Sequence, residues 1–271
     1  MTLNDSGLLQ VGDASLEYRM IGPRPDTAPT IVMLHEGLGS VTTWGDFPSR
    51  LAERTGAGVF VYSRIGYGKS SSITLPRPLD YMQREATEVL PKLLDAIGFR
   101  RGILLGHSDG ATIAAYYAGS VQDHRVRGLV LMAPHFFTEP AGLAEIAKIT
   151  EAYESTDLRA KLSRHHTDVD AAFKGWSGAW RDPGFLKFDT TDALAYIRVP
   201  MLVIQGTDDP YGTLAQVKVV EDECYCPVET LVLDGTGHAP HREKPAETWG
   251  AITEFTDQIF KVHREGVEDA A

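Results

Sequence analysis

At 271 residues, with 43% hydrophobic and 23% charged side chains, the chain is long enough to bury one full core and too ordinary in composition for a disordered or membrane-embedded protein. Its 37 acidic residues against 26 basic ones give a net charge of -11, which repels nucleic-acid phosphates and anionic lipid and excludes nucleic acid and membranes as expected partners. No basic stretch followed by an apolar run occurs between Met1 and Met20, and no run of ~18 apolar residues occurs anywhere, so the expected location is cytoplasmic.

In chain order, residues 7–11 and 15–21 flank the turn-forming Gly12 and Asp13 and predict an antiparallel edge pair. Apolar runs of strand length follow at 30–34, 58–62, 102–105, 128–132, 201–205 and 230–233. Between them, helical spacing predicts helices at 44–54, 81–97, 109–121, 213–222 and 245–263, with Pro91 expected to kink the second and Gly98 to end it. This alternation is the pattern of a mostly parallel sheet covered on both faces. Residues 266–271 read as a frayed end. Cys224 and Cys226 have one residue between them, a spacing that predicts two reduced, non-catalytic thiols.

The alternation stops between Ala133 and Val199, a stretch too long for a simple connection. We read 1–133 and 200–271 as the two parts of one core and 134–199 as a helical cap. Phe136, Phe137, Trp176 and Trp180 in this stretch are the candidate pocket residues. Trp176 and Trp180 stand four apart, on one face of a helix. The alternative for these aromatics is that they only dock the cap on the core.

Gly106-His107-Ser108-Asp109-Gly110 matches G-x-S-x-G, with an apolar strand running in and an amphipathic helix running out. That context makes Ser108 the candidate nucleophile. A serine hydroxyl needs a base to take its proton and a third group to orient the base. Downstream strand ends offer Gly206-Thr207-Asp208-Asp209-Pro210 and Gly235-Thr236-Gly237-His238, on the face where open α/β sheets build their sites. His241, on the same loop as His238, is the fallback base.

With these residues in hand, the chain resembles the α/β-hydrolase superfamily. The turn His35-Glu36-Gly37-Leu38-Gly39 and the segment Ser63-Arg64-Ile65-Gly66-Tyr67-Gly68-Lys69-Ser70 add to the likeness. The resemblance implies an eight-stranded, mostly parallel sheet flanked by helices, with the cap inserted between the sixth and seventh strands. It implies Ser108, Asp209 and His238 as the triad, with Asp208 as the runner-up acid, and the backbone N–H groups of Gly37 and Asp109 as the oxyanion hole. An aspartate nucleophile is disfavoured because Gly106 and Gly110 are symmetric about Ser108. Two positions depart from the family pattern. Glu36 stands where glycine is usual and is expected to point away from the oxyanion, toward Arg64, or to be protonated. Ser63 stands where an acid is frequent, and no function is attached to it.

His35 is expected to bond backbone, and the Asp109 side chain to suit a helix N-terminus without a catalytic role. His165, His166, Asp168 and Asp170 imitate a metal cluster, but they read as solvated cap surface, so no metal and no cofactor are expected. The function read from the sequence is hydrolysis of a small-molecule carboxylic ester through an acyl-enzyme. Lactonase, C–C bond hydrolase and perhydrolase chemistry remain open on the same triad, as does a non-catalytic ligand receptor or an inactive scaffold. Oligomeric state is left open.

Overall fold

The apolar runs are the strands of one sheet. In the computed structural model, which describes residues 3–268, they are β1 (Ser6–Val11), β2 (Ala14–Ile21), β3 (Thr30–Leu34), β4 (Gly58–Tyr62), β5 (Gly102–His107), β6 (Val126–Met132), β7 (Met201–Gly206) and β8 (Val228–Leu233). Their order is β1-β2-β4-β3-β5-β6-β7-β8, with β2 antiparallel to both β1 and β4 and every other pair parallel. Both faces are covered, which is why the central strands are apolar throughout. Val32, Leu34, Phe60 and Leu104 enter one core cluster, while Ile31, Met33, Val59 and Ile103 enter the other.

The helices are α1 (Phe47–Thr55), α2 (Tyr81–Arg84), α3 (Leu90–Ala96), α4 (Asp109–Ser120), α5 (Pro140–Ser155), α6 (Leu158–Leu162), α7 (Val169–Arg181), α8 (Ala215–Glu223), α9 (Pro240–Glu243) and α10 (Pro245–Glu268). Phe47 and Leu51 of α1 pack with Trp249, Ile252 and Phe255 of α10 on one face, and Ile113, Ala114 and Tyr117 of α4 on the other. Two predicted helices take a different form. The one expected at 44–54 is a 3-10 turn, Val41–Trp44, followed by α1, because Pro48 has no N–H to give a preceding turn and suits the first turn of a new helix. The one expected at 81–97 is α2 and α3 joined by a π-turn, Glu85–Val89, which accommodates Pro91 where a regular turn would collide with the preceding carbonyl. Helix α10 runs on to Glu268, past the predicted stop at His263. The rest of the expected frayed end, 269–271, lies outside the described residues.

Between β6 and β7 the chain forms α5, α6, α7 and two 3-10 turns, Pro183–Lys187 and Thr191–Tyr196. Tyr153 of α5 stacks on Phe173 of α7 at 3.7 Å, and Trp180 packs on Phe185, which stacks on Phe188. Much of the aromatic density in this segment therefore holds the segment itself together. No helix among the described residues is long and apolar enough to cross a membrane.

Candidate active site

Strand β5 turns into α4 through Ser108, whose φ of 54° and ψ of -122° lie in a region that side chains rarely adopt. The surroundings hold it there. Its N–H donates to the Met132 carbonyl at 2.8 Å, and its own carbonyl accepts from Ala111 and Thr112. The flanking glycines are a steric requirement: a Cβ on Gly106 would overlap the Gly110 carbonyl, and one on Gly110 would overlap the Leu34 carbonyl. Asp109 opens α4, so its amide belongs to the first turn, where N–H groups have no helical partner.

The loops after β7 and β8 bring Asp209 and His238 together. His238 Nδ1 lies 2.8 Å from Asp209 Oδ2 and 3.0 Å from Oδ1. Asp209 also accepts from the Gln205 side chain and the Tyr211 N–H, each at 2.9 Å. Burial opposes its charge, but the hydrogen bond and the attraction of the neighbouring His238 ring outweigh this and hold the carboxyl below its ordinary range. Asp208 is exposed and bonded to Thr207, so Asp209 is the acid that meets the histidine. With Nδ1 fixed in this way, Nε2 is left for the substrate side.

Ser108 and His238 line the same cavity, of about 110 Å³. No Ser108 Oγ–His238 hydrogen bond is formed among the described residues; such contacts tighten when substrate binds. Gly37 and Asp109 line this cavity too, where their amides can face a reacting oxygen. The apolar wall comes from Ile146 and Ile149 of α5, Trp176 and Trp180 of α7, and Tyr211. Each indole both lines and docks. A Cβ on Gly37 would overlap the Trp176 nitrogen, so that position requires glycine. Trp180 Nε1 donates to the Tyr81 hydroxyl at 3.0 Å, which donates to Asp109 Oδ2 at 2.5 Å. The Asp109 carboxylate thus turns into the core, 3.6 Å from the buried Arg64 guanidinium.

Several expectations need correction. Phe136 and Phe137 do not line the cavity. Phe136 is buried behind it with its N–H on the Gln216 side chain, and Phe137 bridges to Asp189. Glu36 does not point its carboxylate at Arg64. Only its backbone carbonyl takes the Arg64 guanidinium, at 2.9 Å; the residue lines the cavity, and its carboxylate Oε2 lies 3.8 Å from His107 Nδ1. Burial opposes that charge, but the facing His107 ring prevails and keeps the carboxyl well below the usual range, so Glu36 is ionised rather than protonated. His166 is not solvated: it is buried, accepting from the Gly68 N–H and donating to the Leu38 carbonyl. Asp168 caps α7 and Asp170 pairs with Arg159. No group of three or more His, Cys, Asp or Glu able to hold a metal occurs among the described residues. His241 packs against Trp44, Phe47 and His107, outside the cavity.

Other expectations hold. His35 accepts the Arg64 N–H at 3.0 Å and donates to the Glu36 carbonyl at 2.7 Å. Ser63 is structural, donating to Glu17 and accepting from the Val41 N–H. Both cysteines are free. Two residues that sequence reasoning missed are His107 and His135. His107 Nε2 donates to the His238 carbonyl at 2.7 Å, tying the base's loop to the residue before Ser108. His135 lies in the cavity wall, stacked on His238 with ring centroids 5.5 Å apart. Its signal was its place just past the end of β6, on the face where such sheets build sites.

The buried histidines set the acid stability. Burial first, then neighbouring rings, lower the pKa of His135 and that of His241 to about 3 from 6.5. Below pH ~6.5 the unfolded chain takes up protons that the folded chain refuses, so their stabilising effect is complete above that pH and is lost as pH falls toward ~3. Each contributes on the order of 1 kcal/mol per pH unit in that window. Asp209, with its lowered pKa, adds a loss only below pH ~4. Calorimetry at constant ionic strength is expected to show Tm falling steadily from pH 6.5 to 4; a Tm unchanged down to pH 4.5 contradicts neutral burial.

A model of the Alpha/beta hydrolase family matches residues 31–251, from β3 into α10, including Ser108, Asp209, His238, Gly37 and Asp109. The chain belongs to this family. As an α/β hydrolase it is similar to the proline iminopeptidase of Lactobacillus helveticus, 24% identical, covering 89% of this chain and 94% of that protein. Among solved structures it is similar to a thermophilic esterase from Thermogutta terrifontis, with a TM-score of 0.71, 19% identity, and 94% and 99% of the two chains covered. It is likewise similar to the enol-lactonase from Burkholderia xenovorans LB400, with a TM-score of 0.70, 19% identity, and 94% and 100% covered. These likenesses establish the hydrolase fold and leave the substrate to be argued from the cavity.

Proposed function

We propose that this α/β hydrolase cleaves a small carboxylic ester through an acyl-enzyme. Ser108 attacks the carbonyl, His238 takes its proton, Asp209 holds the imidazole, and the Gly37 and Asp109 amides stabilise the oxyanion. His238 then returns the proton to the leaving alcohol, and water activated by the same base releases the acid. The observation that supports this most is the strained Ser108 opening on the same cavity as a histidine whose Nδ1 is bonded to a buried carboxylate. The segment 134–199 acts as the cap in this reading, and a cytoplasmic location remains part of it.

A second reading is amide hydrolysis at an N-terminal residue. The likeness to a proline iminopeptidase favours it, as does an acidic residue, Glu36, in the cavity wall, a candidate partner for a substrate ammonium. The cavity's remaining wall is mostly apolar, and the other acidic residue lining it, Asp109, turns its carboxylate into the core against Tyr81 and Arg64, which is why we favour the ester. Parallel assays on p-nitrophenyl acetate and butyrate and on proline p-nitroanilide decide. The ester reading expects kcat/KM to be higher on the esters by at least a hundredfold; comparable or faster cleavage of the anilide overturns it.

The cap indoles are expected to set acyl length. Trp176→Ala and Trp180→Ala should raise the rate on butyrate and hexanoate esters relative to acetate several-fold, as removed ring volume becomes pocket. Trp180→Ala should also lower Tm, since truncating a buried Trp costs ~3–5 kcal/mol. An unchanged ranking of esters in both variants removes these residues from the substrate wall.

A further inference from the structure

His135 is 4% exposed and tightly placed: its N–H donates to Thr112 Oγ1 at 3.1 Å, and the Thr112 hydroxyl donates to its carbonyl at 2.7 Å. Its ring lies at 27° to the His238 ring and meets Trp180 edge-on at 76°, and Gly212 closes on its Nδ1–Cε1 edge. Yet neither ring nitrogen has a hydrogen-bond partner among the described residues, although the residue lines the cavity. A neutral imidazole always carries one donor and one acceptor; neither nitrogen of His135 is a fully buried unpaired atom, so both keep contact with open space, and it is the cavity that has to supply their partners. Ile146 and Ile149 in the same wall offer neither, and the Trp180 N–H is already given to the Tyr81 hydroxyl.

We propose that His135 is a specificity-determining residue that hydrogen-bonds a neutral polar group on the acyl part of the substrate, so that a short hydroxy- or oxo-acyl ester is preferred over its plain alkyl counterpart. The proposal rests on the serine-hydrolase reading above. A cation at this place would sit beside His238, which must itself become positive during the reaction. An anion would enter a cavity lined by the acidic Glu36, which is ionised. A neutral hydroxyl or carbonyl meets neither objection. The ring itself is kept uncharged by burial and by His238. Size adds a second limit: a cavity of ~150 Å³ holds benzene, so 110 Å³ holds an acyl group of about four or five non-hydrogen atoms.

The test uses matched methyl esters, propanoate against 2-hydroxypropanoate, with acid release followed in a pH-stat. Wild type is compared with His135→Phe, which keeps the ring stack and removes both nitrogens, and with His135→Gln, which keeps a donor and an acceptor. Comparing hydroxy-to-plain ratios of kcat/KM between proteins cancels the esters' intrinsic reactivity. The wild-type ratio is expected to exceed that of His135→Phe about tenfold, with His135→Gln in between. Thermal unfolding checks that each variant folds, and His135→Leu replaces the phenylalanine variant if that one does not. Turnover with the same ratio in wild type and in the variant lacking ring nitrogens overturns the proposal alone; no turnover of any ester by wild type overturns the ester reading as well.

Discussion

Replacing Ser108 by alanine is expected to lower kcat/KM by at least ~10⁴-fold on every substrate the protein turns over, because catalysis without a triad member falls to what binding and the oxyanion hole supply. The fold should survive. Ser108 holds its backbone strain through main-chain hydrogen bonds to Met132, Ala111 and Thr112 that alanine keeps, and the strain is the same for any residue bearing a Cβ. Tm should therefore stay within a few degrees of wild type. A variant that retained more than about a hundredth of the activity would place the nucleophile elsewhere.

The second large effect is expected at Asp209. Its carboxylate accepts from His238, Gln205 and Tyr211 at once, so Asp209→Asn keeps the shape but can present an N–H to the imidazole and favour the wrong tautomer. The loss in kcat should approach ~10⁴-fold with little change in KM. Asp208→Asn, on the exposed neighbour, should change kcat less than about threefold. Equal losses at the two positions, or none at Asp209, would mean that another group orients His238.

The residues that could be read from the sequence are those whose placement is local. Ser108 sits in a five-residue turn whose glycines are demanded by overlaps within that turn and with β3, so strand, turn and helix are legible together. Trp176 and Trp180 reached the cavity because a spacing of four on a helix fixes a shared face. Phe136 and Phe137 were misplaced because aromatic density marks burial, and burial is the same signal whether a ring faces a ligand or, like Phe136, the inside of the core. His135 and Glu36 were missed as wall residues for the converse reason. Each follows a strand end by two or three residues, and what brings the two of them to one cavity is the sheet order β3-β5-β6-β7-β8 and the helices above it. No sequence period records that. The sense of Glu36 turned on His107, whose ring faces it only because the turn before Ser108 points that way.

The most direct test of the account is covalent labelling with a serine-directed organophosphate, read by intact-mass and peptide-mapping mass spectrometry. We expect a single adduct on the peptide carrying Ser108, formed more slowly in Asp209→Asn and absent in Ser108→Ala. An adduct on any other residue, or one that persists undiminished in Ser108→Ala, contradicts the assignment of Ser108 as the nucleophile.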